Sequence, residues 1–214
     1  MAQKLDRAQV VDTALRLLNE TGLEGLTLRR IATELDVKAP ALYWHFANKQ
    51  ALLDEMATEM LRRMSAGAGA VPAGWRDALT TACRTLRRSL LGYRDGAKVF
   101  SGTTLTDTGH SEAQNVLLGA FAADGFEPDD AVQAFFTAYA YTIGFVIEEQ
   151  AVRPLPGGPP APAYDLAARA ERIGPDRPLA AAAGSGLFTD QERRFEQGLA
   201  ILVAGVAALL GPVG

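Results

Sequence analysis

Leu26-Thr27-Leu28-Arg29-Arg30-Ile31-Ala32-Thr33-Glu34-Leu35-Asp36-Val37-Lys38-Ala39-Pro40-Ala41-Leu42-Tyr43-Trp44-His45-Phe46 reads as two short helices joined by a tight turn. Thr27 is a predicted N-cap, its hydroxyl placed to accept an orphan helical N–H. Leu28, Ile31, Ala32 and Leu35 recur at helical spacing and form one apolar face. The chain breaks around Asp36 to Lys38, and Pro40 falls where a first helical turn tolerates a missing N–H. The second helix, about Ala39 to His45, carries Tyr43, Trp44 and His45 in succession. On a helix facing phosphates and base edges, phenol, indole and imidazole donate hydrogen bonds while their rings cover sugars and methyl groups. An ordinary hairpin whose aromatics fill a core is the competing reading.

The flanks favour the first. Asp6 to Gly22 is predicted as an amphipathic helix with Val10, Val11, Ala14, Leu15, Leu17 and Leu18 on one side, and Gly22 and Gly25 bracket its end. Asn48 caps a helix from Lys49 to about Met64, with Leu52, Leu53, Met56, Met60 and Leu61 inward. A support helix, a helix-turn-helix and a long connecting helix make a three-helix DNA-reading head.

Beyond the head, Trp75 to Leu91 is a predicted helix with Leu79, Leu86 and Leu90 inward, followed by a short element from Arg94 to Ser101. A flexible stretch runs through Gly109, then helices from Ser111 to Asp124 and Asp129 to Val152. Arg153 to Pro162 holds five prolines and two glycines, which excludes regular helix and reads as a loop or linker. Ala163 to Ile173 is one short helix, and Thr189 to Leu210 closes the chain as a long one. The expected fold is all-α: an N-terminal helix-turn-helix head over 1–50, a connecting helix at about 49–65, and a larger ligand-binding and dimerisation domain over 66–214. Gly198, Ala200, Ala204, Gly205, Ala207 and Ala208 would let a partner helix approach closely. With Ala131 to Ile147, the last helix would then form a four-helix bundle across a two-fold axis. Such a homodimer sets two reading helices about 34–36 Å apart on a palindromic double-stranded site.

Composition narrows the chemistry. No run approaches the ~18 uninterrupted apolar residues of a membrane span, and the first twenty residues form an amphipathic helix rather than a signal peptide. A cytoplasmic protein with no membrane partner is expected. Cys83 is the only cysteine and reads as a small buried apolar residue. With only His45 and His110 as histidines, no nucleophile–base pair or metal cluster stands at useful spacing. Glu148 and Glu149 point to different helix faces, so no acid/base pair forms there, and neither an enzyme nor a cofactor is expected. The net charge is −4, and Met1 to Met64 holds nine Lys plus Arg against nine Asp plus Glu. Placement therefore matters more than total: Arg29, Arg30, Lys38, His45 and Lys49 gather around the reading helix. A few phosphate contacts per head follow, rather than many.

Residues 5–64 resemble the DNA-binding head of the tetracycline-repressor (TetR) family. Leu23-Glu24-Gly25-Leu26-Thr27, Ala41-Leu42-Tyr43-Trp44-His45 and Asn48-Lys49-Gln50-Ala51-Leu52-Leu53-Asp54 carry the likeness. It continues through Tyr93-Arg94-Asp95-Gly96-Ala97-Lys98-Val99, Gly102-Thr103, Thr142 to Gln150, and Phe195-Glu196-Gln197-Gly198-Leu199, which resemble the tetracycline-responsive subfamily. Only about 151–188 lies outside it. The resemblance implies a DNA-binding regulator, with Arg29 suited to bidentate recognition of guanine. It implies phosphate-positioning roles for Tyr43 and Lys49, and further backbone contacts from Thr27 and His45. Trp44 belongs to the same DNA-facing set, and Pro40 and Ala41 would pack against thymine methyls. Ala39 stands where the subfamily has glutamine, so readout of an adenine edge is expected to be lost. Lys38 replaces an acidic residue and would add a phosphate or base contact.

The effector site departs further. Phe100 occupies the position of the subfamily's metal-ligating histidine, and Ala140 that of another histidine. Ser65, Ala82, Leu86 and Val116 replace polar or aromatic pocket residues. Of the metal-linked set only Thr103 and Glu148 remain, a poor match to the near-octahedral oxygen coordination of magnesium. No metal site and no tetracycline–magnesium effector are expected. A hydrophobic or aromatic small molecule is, held by Phe100, Leu86, Val116, Phe135 and Tyr139, bordered by Leu105, and oriented by Glu148 or Thr103. Each apolar residue here also fits plain core packing. The sequence leaves open an adaptor whose aromatic helix binds a protein, and an activator in place of a repressor.

Overall fold

A computed structural model describes residues 5–67, 69–70, 72–152 and 165–211. Among them it contains eleven α-helices and no strand. The proline-rich stretch expected as a loop at 153–162 lies outside the described residues.

The head is built by four helices, three of them capped at the start by a side chain. In α1 (Arg7–Gly25), Asp6 accepts from the backbone of Ala8 and Gln9, and the Gln9 side chain accepts from Asp6 N–H, a reciprocal box that satisfies orphan donors. The helix breaks three residues before its end, at Gly22, whose φ of +71° favours glycine. A Cβ there would also fall against the side chains of Arg94 and Asp95, so two constraints fix the residue. Helix α2 (Leu28–Glu34) starts at Thr27, whose Oγ1 accepts from Arg30 N–H at 3.2 Å, as its sequence predicts. Asp36, at φ +52°, turns the chain into α3 (Ala39–Tyr43), with Pro40 in its first turn. This helix ends two residues before the sequence-based limit. Asn48 caps α4 (Lys49–Ala66) by accepting from Ala51 N–H at 2.9 Å. Leu15, Leu18, Ile31, Leu42, Phe46, Leu52 and Met56 close the core of the head, together with Val99 from far along the chain.

The second body is assembled on α8 (Pro128–Val152), against which α5 (Trp75–Leu91), α6 (Gly96–Phe100), α7 (Ser111–Ala123) and α11 (Gln191–Leu209) all pack. By length and composition α8 is apolar enough to cross a membrane, and here one side of it, from Ala131 to Glu149, is buried against the rest of the chain. Trp75, Phe121 and Phe126 meet at 5.0–5.4 Å between ring centroids, and Phe195 lies within 5.6 Å of both Tyr141 and Phe145. Aromatic groups at these spacings add roughly 0.5–1.5 kcal/mol per pair beyond the area they bury. Cys83 is buried in this core.

Two expectations change. A helix that the sequence reading lacked, α10 (Pro178–Phe188), packs against α9 (Leu166–Ile173). Its four consecutive alanines behind a first-turn proline are a helix signal, but with no charge and two glycines it shows no periodic polar face. Gly198, expected to admit a partner helix, is occupied within the chain: a Cβ would collide with the ring and hydroxyl of Tyr141. That hydroxyl donates to the Phe195 carbonyl at 3.0 Å, and the ring stacks on Phe195. Ala207 is also turned to the chain's own core, whereas Ala200, Ala204 and Ala208 remain exposed. Because Tyr141 is held at both ring and hydroxyl, Gly198→Ala is expected to cost about 1–3 kcal/mol of stability by overpacking. A lowered urea midpoint with an unchanged slope would be the signature.

Candidate nucleic-acid interface and effector site

The reading helix faces outward. Tyr43 is 55% exposed and Trp44 90%, so neither fills a core. Trp44 caps the end of α3, and the next two amides, of His45 and Phe46, both donate to the Leu42 carbonyl at 2.9 Å. Phe46 turns into the core while His45 stays half-buried at the surface. Around them Thr27, Arg29, Arg30, Lys38 and Pro40 are exposed, and Ala39, Ala41 and Lys49 are half-buried. Lys49 donates through Nζ to the Leu23 carbonyl at 3.0 Å, which anchors the ammonium at the lip of the head. Thr27, whose oxygen accepts the cap bond, keeps its hydroxyl proton for a donor role.

Charge is partitioned by pairing. Arg7 and Arg62 bind Glu55, Arg16 binds Glu20 and Glu34, and Arg63 binds Asp12 and Glu59. None of the head's ion pairs among the described residues uses Arg29, Arg30, Lys38 or Lys49. A segment of zero net charge thus leaves Arg29, Arg30, Lys38 and Lys49 outside its ion pairs, in and around the helix-turn-helix, where phosphate binding needs them.

Two polar residues that the sequence reading did not single out hold this surface from behind. Arg7 donates to Glu55 Oε2 through Nε at 3.0 Å and Nη2 at 2.7 Å, and through Nη1 to the His45 carbonyl at 2.7 Å. Glu55 is only 7% exposed. No local pattern announces a pair separated by 48 positions. Burial pushes the Glu55 carboxyl up, and hydrogen bonds from Arg7, Thr106 and Arg62 outweigh it, leaving it below the ordinary 4.5. A lowered folded-state value means stability present above about pH 4.5 and lost as pH falls through the folded value. The thermal-midpoint gap between wild type and Glu55→Gln should therefore be constant above about pH 5.5 and shrink on acidification, as scanning calorimetry would record.

The expected effector residues divide into an assembled group and a scattered one. Phe100 and Leu86 are buried together with Ala57, Leu90, Ala97, Ile143 and Val146, and Tyr139 packs against them. The Phe100 and Tyr139 centroids lie 6.4 Å apart, and Phe135 follows at 6.2 Å from Tyr139. Burial raises the Tyr139 phenol. Thr103 donates to the Phe100 carbonyl at 2.9 Å, closing the turn after α6. Ser65, Ala82 and Leu105 are half-buried, and Val116 is 42% exposed on α7. Glu148 and Ala140 also face outward, whereas neighbouring Glu149 is buried against Arg87 at 2.8 Å. Among the described residues no group of three or more His, Cys, Asp or Glu side chains is placed to hold a metal. Two open clefts of about 730 and 740 Å³ lie elsewhere, along α5 and α11 and beside Arg84, Arg88 and Phe188.

The group sits where the two bodies meet. Val99 is 1% exposed inside the head core, and the next residue, Phe100, is 8% exposed in the cluster with Leu86. Asp95 accepts from Leu23 N–H at 3.0 Å, and Arg94 N–H donates to Asn19 Oδ1 at 2.8 Å. One short helix is thus bonded to the end of α1 and wedged into two cores.

Family models match both parts of the chain: residues 10–56 match bacterial regulatory proteins of the tetR family, and residues 68–210 match the tetracyclin repressor-like C-terminal domain. The chain belongs to the TetR family. The class A tetracycline repressor from transposon 1721 of Escherichia coli is 38% identical over 207 residues, covering 95% of this chain and 91% of that protein. The structure is also similar to a possible TetR family transcriptional regulator from Streptomyces coelicolor A3(2), at 40% identity and a TM-score of 0.82, covering 95% and 100% of the two chains. BioQ with its double-stranded DNA operator is similar at 32% identity and a TM-score of 0.66, covering 95% and 99%. This TetR-family chain is a ligand-responsive DNA-binding transcriptional regulator.

Proposed function

We propose that this protein is a homodimeric, cytoplasmic repressor without enzymatic activity, released from a palindromic operator by a small hydrophobic or aromatic ligand. The observation that carries the release mechanism is the adjacency of Val99 and Phe100, one seated in the head core and the other in the apolar cluster. A ligand that enters beside Phe100, Leu86, Tyr139 and Phe135 displaces α6, and α6 cannot move without shifting Val99 against α4. The ligand shifts the balance only by its differential affinity for the two arrangements of the heads.

The functional division we assign is a head over 1–50, a connecting helix at 49–65 and a ligand and dimer domain over 66–214. In the head, Arg29 reads guanine, Pro40 and Ala41 cover thymine methyls, and Thr27, Lys38, Tyr43, Trp44, His45 and Lys49 take backbone or groove contacts. Ala39 has no group to read an adenine edge. In the ligand domain, Ser65, Ala82, Leu105 and Val116 border the apolar site, with Thr103 or Glu148 orienting the ligand. The residues present do not fit a magnesium chelate: a buried phenylalanine stands at position 100, and no group of three or more His, Cys, Asp or Glu among the described residues is placed to hold a metal. Exposed Val132 and Phe136 on α8 and Ile201 on α11, beside Ala200, Ala204 and Ala208, support a face for the second copy.

Selection of bound duplexes from a random pool at moderate salt tests the reading. A palindrome with half-sites one helical turn apart is expected, and recovery of no preferred sequence would remove it. On that operator, Arg29→Ala should cost about 1–3 kcal/mol and relax specificity at a single guanine in each half-site. Tetracycline with magnesium should leave the complex intact in a gel-shift or anisotropy assay, and release by it would overturn the apolar-ligand assignment.

A further inference from the structure

The end of the reading helix is held by a group that also holds the segment after α6. Helix α3 spans five residues, too short to be stable by itself, and the turn that ends it, Trp44 to Phe46, closes on the Leu42 carbonyl. Arg7 supplies a donor at that end, through Nη1 to the His45 carbonyl at 2.7 Å, with its guanidinium 4.4 Å from the centroid of the Phe46 ring. Its Nε and Nη2 grip Glu55 Oε2, so the carboxylate sets where the guanidinium can stand.

The same carboxylate faces the other way. Thr106 Oγ1 lies 3.1 Å from Glu55 Oε2 and 3.1 Å from Thr58 Oγ1. Thr58 gives its own proton to the Asp54 carbonyl at 2.8 Å and accepts from Thr106 N–H at 2.8 Å. It therefore accepts only, and of the two acceptors before the Thr106 hydroxyl the carboxylate is the stronger. Arg62 bridges Glu55 Oε1 at 3.1 Å and Asp107 Oδ2 at 2.5 Å. Segment 104–107 is docked on α4 largely through this cluster, with Thr104 N–H on Asp54 adding one bond at 3.1 Å.

We propose that Glu55 is a positioning residue for DNA reading: a buried carboxylate that fixes the end of the reading helix through Arg7 and links it to segment 104–107 through Thr106 and Arg62. Thr106 and Arg62 fix the orientation of the carboxylate that grips Arg7, so loosening Thr106 and Asp107 frees the carboxylate to turn and unfixes the guanidinium it holds. The assignment rests on the DNA-reading role of α3. It adds a polar connection between effector segment and reading helix, separate from the apolar one through Val99.

Amide hydrogen exchange on the full-length protein, with neither DNA nor ligand, tests it. Thr106→Val removes one part-buried hydroxyl from an otherwise exposed residue and should leave the fold intact. It is expected to raise exchange across residues 42–48 severalfold, although Thr106 bonds to none of them. Glu55→Gln should raise it by about tenfold, the scale of one hydrogen bond to a charged group. On the selected operator, Glu55→Gln should bind about tenfold more weakly, and adding Thr106→Val should bring no further loss, because both act through one carboxylate. Faster exchange confined to 52–60 and 101–110, or losses that multiply in the double variant, would overturn the assignment. Should Glu55→Gln not fold, the exchange result for Thr106→Val decides alone. The exchange arm contains no DNA, so it stands even if the wild-type protein selects no duplex.

Discussion

Everything in this molecule turns on a single helical turn, Gly96 to Phe100, that is gripped from two sides. Val99 is as deeply buried as the residues of the head's own core, and Phe100 closes the neighbouring cluster. Close-packed interiors do not stretch, so a displacement of one residue is passed to the other with little loss. The bonds from Asp95 to Leu23 and from Arg94 to Asn19 fix the start of this turn to the end of α1. The rest of the fold holds this clamp in register. Helix α8 backs it, α4 carries it to the head, and helices α1 to α3 deliver the exposed aromatics.

Much of this was legible in the sequence because the signals are local. Thr27, Asn48 and Pro40 announce helix starts within one turn, and the apolar spacing of α1, α4 and α5 repeats over several turns. Trp75 to Leu91 has the limits that its sequence predicts. What was not legible depends on groups distant in the chain. Arg7 and Glu55, Tyr141 and Gly198, and Arg87 and Glu149 meet only after folding, and neither member of a pair carries a mark of its partner. Helix α10 escaped for another reason: without charged residues a helix has propensity but little periodicity. In the effector region, side-chain type named the buried Leu86 and Phe100 and the half-buried Tyr139, but also Val116, which projects from α7. An apolar residue looks the same in sequence whether it lines a cluster or faces outward.

The electrostatics follow the same division. Totals said that the head is neutral, yet neutrality is not uniformity. Arg7, Arg16, Arg62 and Arg63 are taken up by carboxylates on α1, α2 and α4, which weakens the field of those acids at α3. The cations left over are those flanking the reading helix. A protein can therefore be acidic overall and still attract a polyanion at one face, with weak attraction elsewhere.

The left-handed Gly22 sets a boundary on how freely the head can be exchanged. Its backbone turn brings α1 directly beneath Arg94 and Asp95, where an added Cβ would come within 3.0 Å of both side chains. Those two residues belong to the other body, so the head is completed by a dipeptide that it does not encode. A chimera joining this head to a foreign ligand domain would inherit the three helices and their caps but not that seat. Grafts cut after α4 would need an arginine–aspartate pair in the recipient at the matching place. Interchangeability within such a family is then governed by the compatibility of a few junction atoms rather than by resemblance of the parts.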